Sequence, residues 1–153
     1  MQKRRFLQAT AALALASSLG AAHAQNTPLK FQLDWRFEGP SAFFLLPVAK
    51  GYFKEAGLDV TVDAGNGSGG AVQRVASGSY DIGFADMASL MEFHANNADA
   101  PNKPVAVMVV YNNTPAAVMA LKKSGIATPA DLSGKKLGAP VFDAGRKAFP
   151  TFA

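Results

Sequence analysis

Cysteine is absent from the chain, which excludes disulfides, zinc–thiolate sites and thiol chemistry. Histidine is almost absent. One of the two, His23, lies in the amino-terminal leader, so His94 alone serves the remainder. A multi-histidine metal site is thereby excluded, and few routes to histidine-assisted nucleophilic catalysis are left. Excess charge is also missing once the leader is set aside. Three of the 15 basic residues fall in Met1–Ala24, which has no acid, leaving 12 against 11 acidic residues and a net charge of +1. No basic patch suggests nucleic acid. No apolar run is long enough to span a membrane, because Ala11–Leu19 is short and broken by Ser17, Ser18 and the nearby Gly20.

The leader has its own logic. Lys3, Arg4 and Arg5 precede the apolar stretch, and Ala22-His23-Ala24 supplies a small-residue cleavage site. This is the pattern of a secretory signal cleaved after Ala24. Arg4-Arg5 followed by Phe6-Leu7 leaves twin-arginine and general export both open. Either route places the mature protein in the periplasm.

Beyond the leader the pattern alternates strand with helix. Leu29–Leu33 reads as a strand, Trp35–Gly39 as a loop, and Pro40 as the first position of a helix reaching about Lys50. Phe43, Phe44, Leu45, Leu46 and Val48 make that helix apolar almost all round, which predicts burial, and Pro47 predicts a kink. Gly57 suits a helix C-terminal turn. Leu58–Val62 is a second strand and Ile82–Ala85 a third. Between them, Gly65-Asn66-Gly67-Ser68-Gly69-Gly70 leads into a helix ending at Gly78, with Ser68 expected as its N-cap. Asp86 is expected to cap a helix carrying Met87, Leu90, Met91 and His94 at helical spacing, with the methionines in the core and His94 structural. Val105–Tyr111, Ala117–Leu121 and Lys136–Gly138 read as further strands, Pro129–Leu132 as a helical turn, and Ala144 onward as a last helix. Together these predict an α/β fold with a parallel sheet. In such sheets ligands bind beyond the carboxyl ends of strands. Here those ends carry Asp34–Gly39, Ala64–Gly70, Asp86 with Met87, and Pro140–Asp143.

The glycine loop fits G-x-G-x-x-G formally, and Asp86 follows at the distance of a ribose-binding acid. The dinucleotide reading is opposed by the export signal and by the loop's place after the second strand. The loop also serves as a mobile turn, or as a helix N-terminus whose free N–H groups meet a ligand. Trp35 and Phe37 offer a flat apolar face for a planar molecule, or a rim over the core. Arg146 either meets an anion or is simply exposed.

Leu33-Asp34-Trp35, GYFKEAGLDVTV, GSGGAVQRVASGSYDIGFAD and LSGKKLGAP resemble the periplasmic substrate-binding proteins of ABC importers. The branch is the one serving nitrate, sulfonates, taurine and thiamine-precursor pyrimidines, and Leu-Asp-Trp looks most like the pyrimidine binders. The resemblance implies a periplasmic-binding-protein type II-like fold, with two lobes joined by a hinge. Residues 25–111 would form the first part of lobe one, 112–118 the crossing, and 119–153 the start of a truncated lobe two. It implies ligand contacts at Trp35, Phe37, Gly67, Ser68, Gly69, Gly70, Asp86, Asn112, Asn113, Thr114 and Asp143. Val141–Arg146 departs from the small hydroxyl residues with which sulfonate and nitrate binders start the corresponding helix. A fungal relative of the fold makes the thiamine pyrimidine using cysteines and a histidine, and the lack of cysteine argues against carrying that activity over.

The expected role is therefore capture of a small organic molecule and its delivery to an inner-membrane ABC permease. The protein would be monomeric at full length, without cofactor, metal or catalysis. The alternatives are an enzyme on the same scaffold and a ligand-sensing domain.

Overall fold

The structure, a computed structural model, describes residues 25–152. The expected export signal lies outside the described residues. Among those described, no helix is long and apolar enough to cross a membrane.

Three parallel strands form the sheet, in the order β2–β1–β3: β1 (Thr27–Gln32), β2 (Leu58–Asp63) and β3 (Ile82–Gly83). Thr27 pairs with Leu58 and Gln32 with Asp63 along the first ladder, and Phe31 pairs with Ile82 along the second. Parallel neighbours need crossovers. The first contains a 3-10 turn (Gly39–Ser41), α1 (Ala42–Lys50) and α2 (Tyr52–Glu55), and the second is α3 (Ser68–Ala76). After β3 come α4 (Met87–Asn96), 3-10 turns at Lys122–Ser124 and Pro129–Leu132, and α5 (Ala144–Phe152). The parallel α/β reading of the sequence is therefore correct.

Gly51 and Gly57 adopt φ of 79° and 77°, which lets the chain leave α1 and α2 sharply and enter β2. The small core holds Leu33, Val60, Ala71 and Val72. Beside it Phe44 meets Phe31 and Phe84 at ring-centroid distances of 5.2 and 5.0 Å. Gly83 lets α3 lie close on the sheet, since a side chain there would press on Val75.

Several expectations need correction. Helix α1 is not buried: Phe43 is 61% and Leu46 54% exposed. Only its Phe44 side meets the sheet, and no described element covers the opposite side. Met87 and Met91 are exposed rather than core. They sit four residues apart on one face of α4, and Ser89 is the helix's buried residue. Val105–Tyr111, Ala117–Leu121 and Lys136–Gly138 form no strands, because no described strand offers them a ladder. Val107 is accordingly 78% exposed. The Pro129–Leu132 turn forms as expected. Thr128 and Asp131 close it reciprocally, and three hydrogen bonds from Ala127 and Thr128 hold the exposed Asp131 carboxyl below its ordinary pKa.

Candidate functional site

Beyond the carboxyl ends of β1 and β2 the backbone is tied by hydrogen bonds that need no exposed side chain. The Gly65 N–H donates to the Trp35 carbonyl at 2.9 Å and the Gly67 N–H to the Asp34 carbonyl at 2.6 Å. This contact requires glycine at position 65, where a Cβ would run into the Leu33 carbonyl. Gly67 has φ of 136°, and Phe142 lies directly against its Cα, so a side chain there is excluded twice. Beneath the loops Gln32, 1% exposed, donates to the carbonyls of Leu33, Asp63 and Ala64. That buried amide satisfies carbonyls at the ends of both strands.

Ser68 joins the three strand ends. Its hydroxyl donates to Asp34 Oδ2 at 3.4 Å and accepts the Asp86 N–H at 3.0 Å. It is not the N-cap of α3, as the sequence suggests. Gly67 holds that place and Ser68 is the first helical residue. Asp86 caps α4 as expected, its Oδ1 accepting the Ala88 N–H at 2.8 Å. Burial pushes the Asp34 carboxyl above its ordinary pKa, and the neighbouring Asp86 carboxylate adds to the rise. Among the described residues the N–H groups of Ser68 and Gly69 have no acceptor, as befits the first turn of a helix.

The structure thus brings together Trp35, Gly67, Ser68, Gly69, Gly70 and Asp86, with Trp35 half-buried and Phe37 52% exposed at the rim. Asn112, Asn113 and Thr114 are exposed, and Thr114 Oγ1 only accepts the N–H of Ala116. They make no hydrogen bond to the cluster, though Tyr111 approaches Phe84 at 6.0 Å. Asp143 serves as a local cap, accepting the Arg146 N–H at 2.7 Å, and Arg146 is exposed. His94 is structural, its Nε2 lying 2.8 Å from the Pro104 carbonyl oxygen.

A cavity of about 210 Å³ opens beside Gly69, between α3, α4 and α5. Gln73, Ser89, Glu92, Asn96, Phe142 and Lys147 contribute to its walls. Lys147 pairs with Glu92 at its mouth. Sequence reasoning missed Gln32, Ser89 and Lys147. A glutamine inside an apolar strand is a detectable anomaly, whereas nothing local distinguishes Ser89 or Lys147 from surface residues. Among the described residues no group of three or more His, Cys, Asp or Glu side chains could hold a metal.

A parallel α/β unit with a glycine-bordered helix N-terminus beyond its strand ends is a ligand-binding architecture. The chain belongs to the NMT1/THI5-like family, which matches residues 40–152 and includes both ABC substrate-binding proteins and thiamine pyrimidine synthases. It is 34% identical over 112 residues to a 4-amino-5-hydroxymethyl-2-methylpyrimidine phosphate synthase of Aspergillus parasiticus, covering 72% of this chain and 31% of that protein. It is 31% identical to the THI11 and THI13 synthases of Saccharomyces cerevisiae, over 72% of this chain and 32% of each. The chain therefore spans about a third of the length of these relatives. No solved structure matches.

These relatives correct the importer expectation. Their names are those of enzymes, so capture without chemistry and delivery to an ABC permease do not stand. Missing cysteine does not weigh against an enzyme either, because this chain spans only about a third of a synthase's length.

Proposed function

We propose that this chain is the ligand-holding unit of an enzyme that forms a phosphorylated aminopyrimidine, as its relatives are named for doing. The observation that carries the reading is the match to these synthases across 72% of the chain, which takes in the glycine loop and α3. Chemical fit at the strand ends supports it. Trp35 supplies an apolar face for a planar ring. Asp34 and Asp86 supply acceptors for an exocyclic amino group, and the free N–H groups at the start of α3 favour an anion. Burial raises the Asp34 pKa above its ordinary value, so this carboxyl gives up its proton less readily than an exposed one. Export of the enzyme after cleavage at Ala24 is part of the same reading, and the mature protein then begins at Gln25.

The decisive experiment introduces the complete gene that carries this sequence, without its leader, into a yeast strain lacking its own pyrimidine phosphate synthases. Growth without added pyrimidine is expected. A soluble protein that fails to restore growth overturns the enzymatic reading. Amino-terminal sequencing of the protein from its native host checks export, and an intact Met1 would refute it.

A further inference from the structure

The cavity between α3, α4 and α5 has a property that the strand-end cluster does not explain: its walls contain two donors without acceptors, beside a lysine paired only at the cavity mouth. Ser89 is 3% exposed, and its Oγ is buried with no hydrogen-bond partner. A buried hydroxyl left unpaired is destabilising, so a protein keeps one where something else completes it. Ser89 lines the cavity together with Gly69, whose N–H also has no acceptor among the described residues. The third donor is Lys147. Its ammonium group lies 3.0 Å from the point that a Cβ on Gly69 would occupy, so any side chain at position 69 would crowd it.

A cation at a helix N-terminus is unfavourable by itself, because that end of the helix carries partial positive charge. Here Glu92 compensates, pairing with Lys147 at the mouth of the cavity. Glu92 is thus the only carboxylate among the lining residues, and it stands where an incoming anion would stand. Its side chain is 47% exposed, and an exposed ion pair of this kind is weak. A dianion contacting all three donors can displace it.

We propose that this cavity is the phosphate subsite of the chain. The phosphomonoester oxygens accept from Ser89 Oγ, the Gly69 N–H and Lys147 Nζ, while Glu92 swings out to solvent as the phosphate enters. The inference rests on the enzymatic reading above for the identity of the ligand, but not for the existence of the anion site. Phe142 packs against Gly67 and borders the cavity, so the first turn of α3 forms part of its wall.

Calorimetric titration of the full-length protein tests it with three probes: inorganic phosphate, 4-amino-5-hydroxymethyl-2-methylpyrimidine, and the same pyrimidine carrying its phosphate. The phosphorylated pyrimidine is expected to bind tightest. Lys147→Met should weaken it, and inorganic phosphate, by about tenfold or more, Lys147→Arg should restore most of the loss, and Ser89→Ala should cost roughly threefold to tenfold. Glu92→Gln should tighten both phosphate probes, a gain that damage to the fold does not mimic. Phosphate-probe affinities unchanged in Lys147→Met and Ser89→Ala overturn the subsite while leaving the enzymatic reading intact. Phosphate binding that depends on Lys147 but gains nothing from the pyrimidine supports the subsite and removes the pyrimidine reading. Absence of binding by any phosphate probe refutes the subsite outright.

Discussion

At the scale of single residues, Asp34 is the most informative. Its carboxyl is half-buried, shares Ser68 with Asp86, and has a pKa raised above the unfolded value of 3.8. Between the unfolded and the raised folded pKa the native state holds more protons than the unfolded chain. Stability therefore falls as pH rises through that window, and the loss is complete above it. Asp34→Asn keeps the shape and removes the titration. Urea unfolding at several pH values from about 3 to 7 should show a smaller fall for the variant than for the parent. Parallel curves would mean that Asp34 carries no such linkage. Gly67 makes a second case. With φ of 136° and Phe142 against its Cα, Gly67→Ala should destabilise the protein by more than about 1 kcal/mol. An unchanged melting temperature would show that the loop and residues 141–142 do not pack as described.

Helix α4 shows how one element serves two sites. Asp86 caps it and accepts the Ala88 N–H, while the backbone N–H of the same residue is held by Ser68. Its third residue, Ser89, borders the cavity beside Gly69. Loss of the cap in Asp86→Ala should cost about 1 kcal/mol and fray the first turn, read as reduced protection of the Ala88 and Leu90 amides from hydrogen exchange. Protection equal to that of the parent would show that the cap is not what holds the helix start. Helix α1 shows the opposite situation. Its sequence is apolar on every side, yet only Phe44 meets an aromatic cluster, so its composition records more covering than the described residues provide.

For the whole molecule, exposed apolar surface is the dominant feature. Val105, Val107, Met108 and Val109 are each more than 60% exposed, as are Met119 and Leu121. An exposed apolar run of this kind is unusual for an isolated folded chain. The isolated chain should bind a hydrophobic dye strongly, and Val107→Lys with Met108→Lys should reduce that fluorescence without lowering the melting temperature. A loss of stability in that variant would mean that the segment already packs within the chain. A chain spanning about a third of its relatives' length carries such surface without contradiction.

The local code for the sheet and its helices was legible before any coordinates. Alternating apolar residues placed β1 and β2, the glycines at 51, 57 and 78 marked where helices stop, and Asp86 announced the start of α4. Turn chemistry and caps act over a few residues, so a sequence can state them. The strand-like run Val105–Tyr111 marks the limit. β propensity describes how a segment fits a pleated surface, and the partner strand decides whether that surface exists. The site divides in the same way. The glycine loop stands out in the sequence because a backbone contact at Gly65 and an unusual φ at Gly67 demand glycine. Ser89, Lys147 and Glu92 are ordinary helical residues locally. Only the packing of α5 against α4 sets Lys147 beside Glu92 across 55 positions of chain, and so places a cation over Gly69. Such a meeting of distant side chains is a property of the tertiary structure, because no short-range pattern records it.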